Sequence, residues 1–386
     1  MIVRRLVCRI RLRFGILGIL SIVITVSILK PMSVFLHAKA WTKTRIAEKD
    51  DSSSRHFVGE NYTGVVILTY MRSGSSVTGD ILQQNNNVFY VFEPLRILQD
   101  LIKHEKPVQW FNGTISVMNS LIAADVKRQT LIGWLSCNFS LVYAQSFDDL
   151  GFLAFGKQTT LYRTCVLRNH NSTINYPGQN ISRVYIRTSA FHRGLHDECL
   201  QSLQNACLSS KVRIIKTIRT SMLDMEAILS DIKWFKVITV IRDPRYTVLS
   251  QLRNDACSDV RNVTLNCAKR HCDRVWNDTL VKAKLQRDSN NKILTVKYGK
   301  LVANPTLQTK IMYDFIGMEL SQKIMSYVKR IVLERNVTGC KICEQSWQAG
   351  NHFRTTTKFQ KTANRRAFTD IENVCRNVLT YYNYTI

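Results

Sequence analysis

The amino-acid sequence predicts an α/β domain built on a central, mainly parallel sheet, and three observations carry that prediction. Short runs of β-branched and aromatic residues recur along the chain, apolar at nearly every position, as strands buried on both faces are. Segments of helical character separate these runs, so strand and helix alternate. Two of the runs end in turns of Arg, Ser, Gly or Pro just before a helix, at the strand ends where such sheets bind ligands. With 386 residues the chain has length for one large domain or two ordinary ones, and for a sizeable core.

The chain opens MIVRRLVCRIRLR, with five arginines and no acid, and residues 1–13 read as a cytosolic tail. An apolar run from Phe14 to Leu29, extended past Lys30 and Pro31 by Met32 to Leu36, predicts a signal-anchor transmembrane helix over 14–36 in preference to a cleaved signal peptide. The charge asymmetry directs everything after it to the lumen. Residues 37–63, which include AEKDDSSSRH, are polar and aperiodic and read as a stem, and order begins near Gly64. Strands are predicted at Val65–Tyr70, Val88–Phe92, Val184–Arg187, Val212–Ile218, Phe235–Ile241 and Ile293–Val296. Helices are predicted near 77–84, 222–231, 244–253, 306–317 and 370–381. Residues 100–180 show no clear pattern and read as insertions and surface loops.

Residues 65–79, VVILTYMRSGSSVTG, carry the first candidate site. An apolar strand stops at a turn of small hydroxyl residues and a helix follows, which is the layout of an anion cradle. Gly74 allows close approach of the backbone, Ser73, Ser75 and Ser76 add hydroxyl groups, Arg72 adds a permanent charge, and the helix near Val77 offers free N–H groups at its positive end. The spacing is neither that of a Walker A loop nor that of a Rossmann fingerprint. The second candidate follows Trp234–Ile241, where Arg242-Asp243-Pro244-Arg245 precedes a helix that carries Ser250. Proline suits a first helical turn. Arg242 and Ser250 can close on one phosphate if the helix folds back, and the plainer alternative has Asp243 capping the helix and pairing with a nearby arginine. Two such sites in one α/β domain suggest a ligand with phosphates at both ends.

Nine Asn-x-Ser/Thr sequons, at Asn61, Asn112, Asn138, Asn171, Asn180, Asn262, Asn277, Asn336 and Asn383, fit a chain that meets the glycosylation machinery. Cys8 lies in the tail and ten cysteines remain, an even number for an oxidising compartment, with Cys199–Cys207 and a pair among Cys257, Cys267 and Cys272 as local candidates. The Cys340/Cys343 pair and the cluster of Cys267, His271 and Cys272 lack the second half of a zinc site, so no metal is expected. A formal charge of +26, or +20 once the six basic residues of positions 1–30 are removed, calls for an anionic partner. The anchor and sequons exclude nucleic acid and leave an anionic glycan, an anionic cosubstrate or the membrane surface.

At this point the residues resemble the Golgi carbohydrate sulfotransferases, specifically the galactose, N-acetylgalactosamine and N-acetylglucosamine 6-O-sulfotransferases. The resemblance rests on YMRSGSSVTGDIL, VFYVFEPL, VIRDPRYTVLSQLR, CAKRHCDRVW, TVKYGKLVANPTLQTKIMYDFIG and DIENVCRNVLTYYNY, in that order, over about residues 64–386. It implies a P-loop-like sulfotransferase fold over 64–386, 3′-phosphoadenylyl sulfate (PAPS) as cosubstrate without metal, and a single-pass type II Golgi membrane location. Arg72, Ser73, Gly74, Ser75, Ser76 and Val77 would hold the 5′-phosphosulfate, and Arg242, Asp243, Arg245 and Ser250 the 3′-phosphate end. Arg72 would also neutralise charge on the leaving phosphate oxygen.

A sugar hydroxyl needs a base, and Glu93, ending the second strand, is the expected one, with His192 and His196 behind it. A structural alternative pairs Glu93 with Arg72 or Arg96. Lys216 and Arg219 are further candidates for touching sulfate or acceptor. The sequence departs from the family pattern at Val77, at Tyr298-Gly299-Lys300 and at residues 351–354, NHFR. The expected activity is sulfate transfer to the 6-hydroxyl of galactose, GalNAc or GlcNAc in keratan-type, chondroitin-type, N- or O-glycans. The partners expected are an anionic glycan, the membrane and a second copy in a homodimer. A catalytically inactive glycan-binding relative is the alternative, and a P-loop sugar kinase is excluded by the missing GK[ST] motif and magnesium-binding acid.

Overall fold

The computed structural model describes residues 62–169, 197–253, 257, 263–288, 291–333 and 365–384. The expected anchor over 14–36, nearly all of the stem, the strand Val184–Arg187, His192, His196, Cys340 and Cys343 lie outside the described residues. Among the described residues no helix is long and apolar enough to cross a membrane.

Five strands form one sheet, every neighbouring pair parallel: β1 (Thr63–Thr69), β2 (Val88–Phe92), β5 (Val212–Thr217), β6 (Phe235–Ile241) and β7 (Ile293–Lys297), in the order β2-β5-β1-β6-β7. A two-stranded hairpin, β3 (Val108–Gln109) with β4 (Ile115–Ser116), stands apart. The β-branched runs dictate the sheet, because Val65, Val66, Ile67 and Leu68 of β1 are all buried and side chains alternate between its faces. Val66 and Leu68 join one core and Val65 and Ile67 the other. The second core receives α1 (Ser75–Leu82), and the C-terminal part of the chain adds further helices on that side. Because the sheet is wholly parallel, the residues that follow β1, β2, β5, β6 and β7 all emerge at one edge. The chain leaves β1 toward β2 and leaves β6 toward β7, so the strand order reverses between β1 and β6. A crevice opens at such a reversal.

Residues 100–169 correct the expectation of surface loops. They hold the end of α2 (Arg96–Lys103), α3 (Ser120–Ser136), α4 (Leu150–Leu153) and α5 (Lys157–Asn169), and Trp134, Tyr143 and Phe147 are fully buried. The apolar stripe of α3, Val126, Leu131, Trp134 and Leu135, has helical spacing, but polar residues interrupt it and hide the periodicity.

The proposed Cys199–Cys207 bridge is also corrected. Both residues lie on α6 (Asp197–Leu208), and eight residues of helix separate them by about 12 Å, beyond the reach of a disulfide. They pair instead with Cys165 and Cys137, tying α6 to α5 and to the end of α3. Cys257–Cys267 forms as a local pair, and Cys272 on α9 (Val263–Asp288) joins Cys375, which sits between α13 (Arg365–Val374) and α14 (Arg376–Tyr381). The remaining helices are α7 (Met222–Asp231), α8 (Pro244–Leu252), α10 (Tyr298–Ala303), α11 (Pro305–Ile316) and α12 (Gln322–Leu333).

Candidate active site at the sheet edge

The loop between β1 and α1 turns through two left-handed residues, Arg72 at φ 67° and Gly74 at φ 87°. Among the described residues no side chain caps α1, so its first N–H groups, which have no partner within the helix, stand at the strand end of β1. Ser73 is 1% exposed, and its hydroxyl has no hydrogen-bond partner among the described residues. A buried hydroxyl left unpaired is destabilising, and an incoming oxyanion relieves that. Gly74 has a reason that the sequence did not reveal. A Cβ there would lie 2.0 Å from Cδ2 of Tyr298, whose buried ring fills the space behind the turn. Val77 turns its side chain into the core beside Tyr298, leaving only its backbone to face the crevice.

The second loop meets the first. Nη1 of Arg242 donates to the carbonyl oxygen of Arg72 at 3.1 Å, and Nε of Arg72 donates to Oγ of Ser250 at 3.0 Å. Nε2 of Gln251 binds the Met71 carbonyl at 2.9 Å, fastening α8 to the β1 loop. Arg242 is 9% exposed, and burial lowers its pKa, with Arg72 adding to the effect while Tyr298 and Asp243 oppose it. Neither Arg72 nor Arg242 makes an ion pair among the described residues, so two guanidinium groups meet here without a directly bonded carboxylate among those residues.

Asp243 and Arg245 serve each other instead. The Asp243 carboxylate caps α8 at the Arg245 N–H and accepts from the Arg245 guanidinium at 2.7 Å, and Arg245 reaches Glu372 on α13 at 2.8 Å. This brace commits Asp243 and Arg245 to each other, whereas Arg242 and Ser250 are the residues of this loop and helix that meet Arg72.

Glu93 follows β2 at the same edge, in a left-handed conformation with φ 52°. It pairs with neither Arg72 nor Arg96, the latter being held by Asp149 at 2.6 Å. The register sets Phe92 opposite Lys216, and the Glu93 N–H continues the ladder to the Lys216 carbonyl at 2.7 Å. Its carboxylate therefore sits over the end of β5. It accepts from Lys216 Nζ at 2.6 Å, from Nη1 of Arg219 at 2.5 Å, from the Ile218 N–H at 3.1 Å and from the Thr217 hydroxyl at 3.4 Å. Burial by itself raises the Glu93 pKa, but the charges of Lys216 and Arg219 and these hydrogen bonds outweigh it and hold the carboxyl below its ordinary range.

Lys216 and Arg219, expected from the sequence only as contacts for sulfate or acceptor, form one cluster with Glu93. Tyr298, named in the sequence only as part of a motif, acquires a packing role behind the Gly74 turn, and Lys127 and Arg274, which carried no functional expectation, line a cleft beside Arg219. Chemically, the edge offers an oxyanion cradle from β1, a cationic pair shared with β6, and a carboxylate with two cations from β2 and β5.

Comparison with known proteins bears on this arrangement. The family model described as "Sulfotransferase family" matches residues 184–322, which include Lys216, Arg219, Arg242, Ser250 and Tyr298 but not Arg72 or Glu93. Carbohydrate sulfotransferase 1 of Danio rerio is 24% identical over 291 residues, an alignment covering 69% of this chain and 65% of that protein. The Rattus norvegicus carbohydrate sulfotransferase 1 is 25% identical over 316 residues, covering 75% of this chain and 72% of the relative. Carbohydrate sulfotransferase 3 of Tetronarce californica is 21% identical over 285 residues, covering 68% and 60%. Among solved structures, the sulfotransferase domain of the Synechococcus PCC 7002 olefin synthase matches with a TM-score of 0.42 at 13% identity, over 85% of this chain and 98% of that one.

Proposed function

We propose, on the premise that this chain belongs to the carbohydrate sulfotransferases at low identity to its relatives, that it transfers sulfate from PAPS to the 6-hydroxyl of galactose, GalNAc or GlcNAc in a glycan chain. The observation that carries this reading is the meeting of Arg72, Arg242 and Ser250 from two strand-to-helix loops, with neither cation in an ion pair among the described residues. The unpaired Ser73 hydroxyl and the uncapped start of α1 complete a cradle for an oxyanion. These groups fit a ligand with anionic groups at both ends, as PAPS is. Ser73 to Val77 would hold its phosphosulfate through hydroxyl and N–H groups, and Arg242 with Ser250 its 3′-phosphate.

PAPS supplies the activated sulfuryl group when bound, and the protein's part is to orient and to move charge and a proton. Arg72 offsets charge that gathers on the phosphate side. Glu93 takes the proton of the acceptor hydroxyl. Its cations hold it in check, since burial alone would make it a strong base. When Lys216 and Arg219 turn toward sulfuryl oxygens they free that basicity at the moment the hydroxyl attacks. The hydrogen bonds to Glu93 also support a second reading, in which the carboxylate only orients Lys216 and Arg219 and another group takes the proton.

The location in this proposal is the Golgi membrane, with residues 14–36 as anchor, 37–63 as stem and 64–386 as a luminal catalytic domain, and a homodimer is the expected assembly. The test incubates the full-length protein with radiolabelled PAPS and a panel of desulfated glycans. Label is expected at carbon 6, and Glu93→Gln and Arg242→Ala are each expected to abolish it. Label at another position corrects the regiochemistry, and near-normal turnover by Glu93→Gln removes the base assignment.

A further inference from the structure

A cleft of about 430 Å³ opens beside the Glu93 cluster, large enough for a sugar unit and its neighbour. Leu95, Leu98, Ile102 and Ile218 give it an apolar floor, and Arg219 stands at the end nearest Glu93. Its remaining charged groups are Lys127 on α3, Arg274 on α9 and Asp224 on α7.

The charges are unequal in availability. Asp224 is committed to the start of α7, where Oδ2 accepts from the Thr220 hydroxyl at 3.0 Å and from the Ser221 N–H at 2.8 Å. Arg274 spends Nη2 on the carbonyls of Ile218, at 2.6 Å, and Thr220, at 2.9 Å, which fixes the chain that follows β5. Its charge is left without an ion pair among the described residues. Lys127 makes no hydrogen bond or ion pair among the described residues. Arg219 lends one nitrogen to Glu93 and has a buried Nε with no partner among the described residues. An apolar floor suits the C–H face of a pyranose, and a wall with surplus positive charge suits an anion beside it.

We propose that this cleft is the acceptor subsite and that Lys127 and Arg274 select a glycan bearing an anionic substituent, a uronate carboxylate or a sulfate ester, next to the sugar whose hydroxyl reacts. The proposal rests on the transferase reading given above, and Lys127 is its specificity determinant. The charge it supplies acts on binding and leaves the chemical step at Glu93 untouched.

Lys127→Glu tests it in the full-length protein, since Lys127 braces no other residue. Three oligosaccharides serve as acceptors: one with uronate carboxylates, one with sulfate esters and one neutral. We expect KM for the recognised anionic acceptor to rise about tenfold, equivalent to about 1.4 kcal/mol. kcat, KM for PAPS and KM for the neutral acceptor should stay unchanged. Whichever anionic acceptor suffers the loss identifies the substituent. Lys310→Glu, an equal change of net charge on the opposite helical layer, should have no effect. Equal changes with charged and neutral acceptors, or no change with any, overturn the proposal. Should no acceptor be sulfated, the transferase reading fails by itself, and titration of the same oligosaccharides into both proteins still decides the cleft. Weaker anionic binding by Lys127→Glu supports it, and equal affinity refutes it.

Discussion

Replacing Glu93 by Gln removes one negative charge from a carboxylate that is 2% exposed and leaves Lys216, 5% exposed, beside a neutral amide. The amide still offers one oxygen to the Ile218 N–H or to Lys216 Nζ, so the loss is mainly electrostatic. Removing one partner of a buried ion pair is destabilising by about 3–5 kcal/mol, and the retained oxygen puts the expectation near ~3 kcal/mol. At ~1.5 °C per kcal/mol for a domain of this size, thermal unfolding should move down by about 4–5 °C. The partner variant Lys216→Met removes the other half. If the pair is coupled as its 2.6 Å contact implies, the double variant Glu93→Gln/Lys216→Met recovers at least half of the loss while transfer stays absent. The pH dependence has a definite sign. The folded carboxyl titrates below its ordinary value, so the pair's stabilisation is complete above about pH 4.3 and disappears only as pH falls through the lower folded value. Denaturant titrations of the single and double variants at pH 7 supply the cycle. Additive losses below about 1 kcal/mol each would refute the account of the cluster.

Other measurements probe neighbouring groups. Gly74→Ala must adopt φ near 87° and drive its Cβ to 2.0 Å from the Tyr298 ring, so it should lose about 2 kcal/mol or more and bind adenosine 3′,5′-bisphosphate weakly; calorimetry that finds wild-type stability and affinity removes the role given to this packing. His271 is buried and its pKa is pushed down to about 3 by burial and by Arg274, so the unfolded chain binds more protons below about pH 6.5. Stability should fall by about 2 kcal/mol between pH 6.5 and pH 5 through this group, and His271→Gln should flatten that slope in denaturant titrations.

The strands were legible because burial on both faces writes itself as uninterrupted apolar runs, and β1, β2, β5 and β6 lie within a residue or two of their expected bounds. The loops after β1 and β6 drew notice for a related reason, since Arg, Ser, Gly and Pro gather there at two strand ends, each just before a helix. Partnership across the sheet was not legible. Periodicity identifies a strand and says nothing of which strand lies beside it, so Glu93 was matched with arginines near it in sequence. Insertion of β5 between β2 and β1 gives it Lys216 and Arg219 instead. The Cys199–Cys207 pairing failed in the same way, since both residues find partners on other helices, and Cys272–Cys375, 103 residues apart, meets only through packing of the C-terminal helices on α9, whereas the short-range pair Cys257–Cys267 was among the local candidates.

Strand order also divides the labour along the edge. Adjacent strands are about 4.8 Å apart, so β6 lies about 5 Å from β1, and β2 about 10 Å from β1 on the other side. In the proposed transfer, groups on β6 would grip a nucleotide lying across β1 but would not reach an acceptor at β2, roughly 14 Å away. Groups on β5 lie between cradle and carboxylate, where a transferred group would pass. Two cationic residues of similar burial should therefore fail differently when made neutral. Arg242→Met should weaken binding of adenosine 3′,5′-bisphosphate by 10- to 100-fold, the worth of about 1.5–3 kcal/mol for a charged hydrogen bond. Arg219→Met should leave that affinity within about threefold, since Lys216 still pairs with Glu93, and should instead lower the turnover of bound substrate by at least tenfold. Calorimetric binding of the bisphosphate alongside single-turnover transfer separates the two effects, and a nucleotide affinity lost equally in both variants would mean that β5 and β6 do not share the edge in this way.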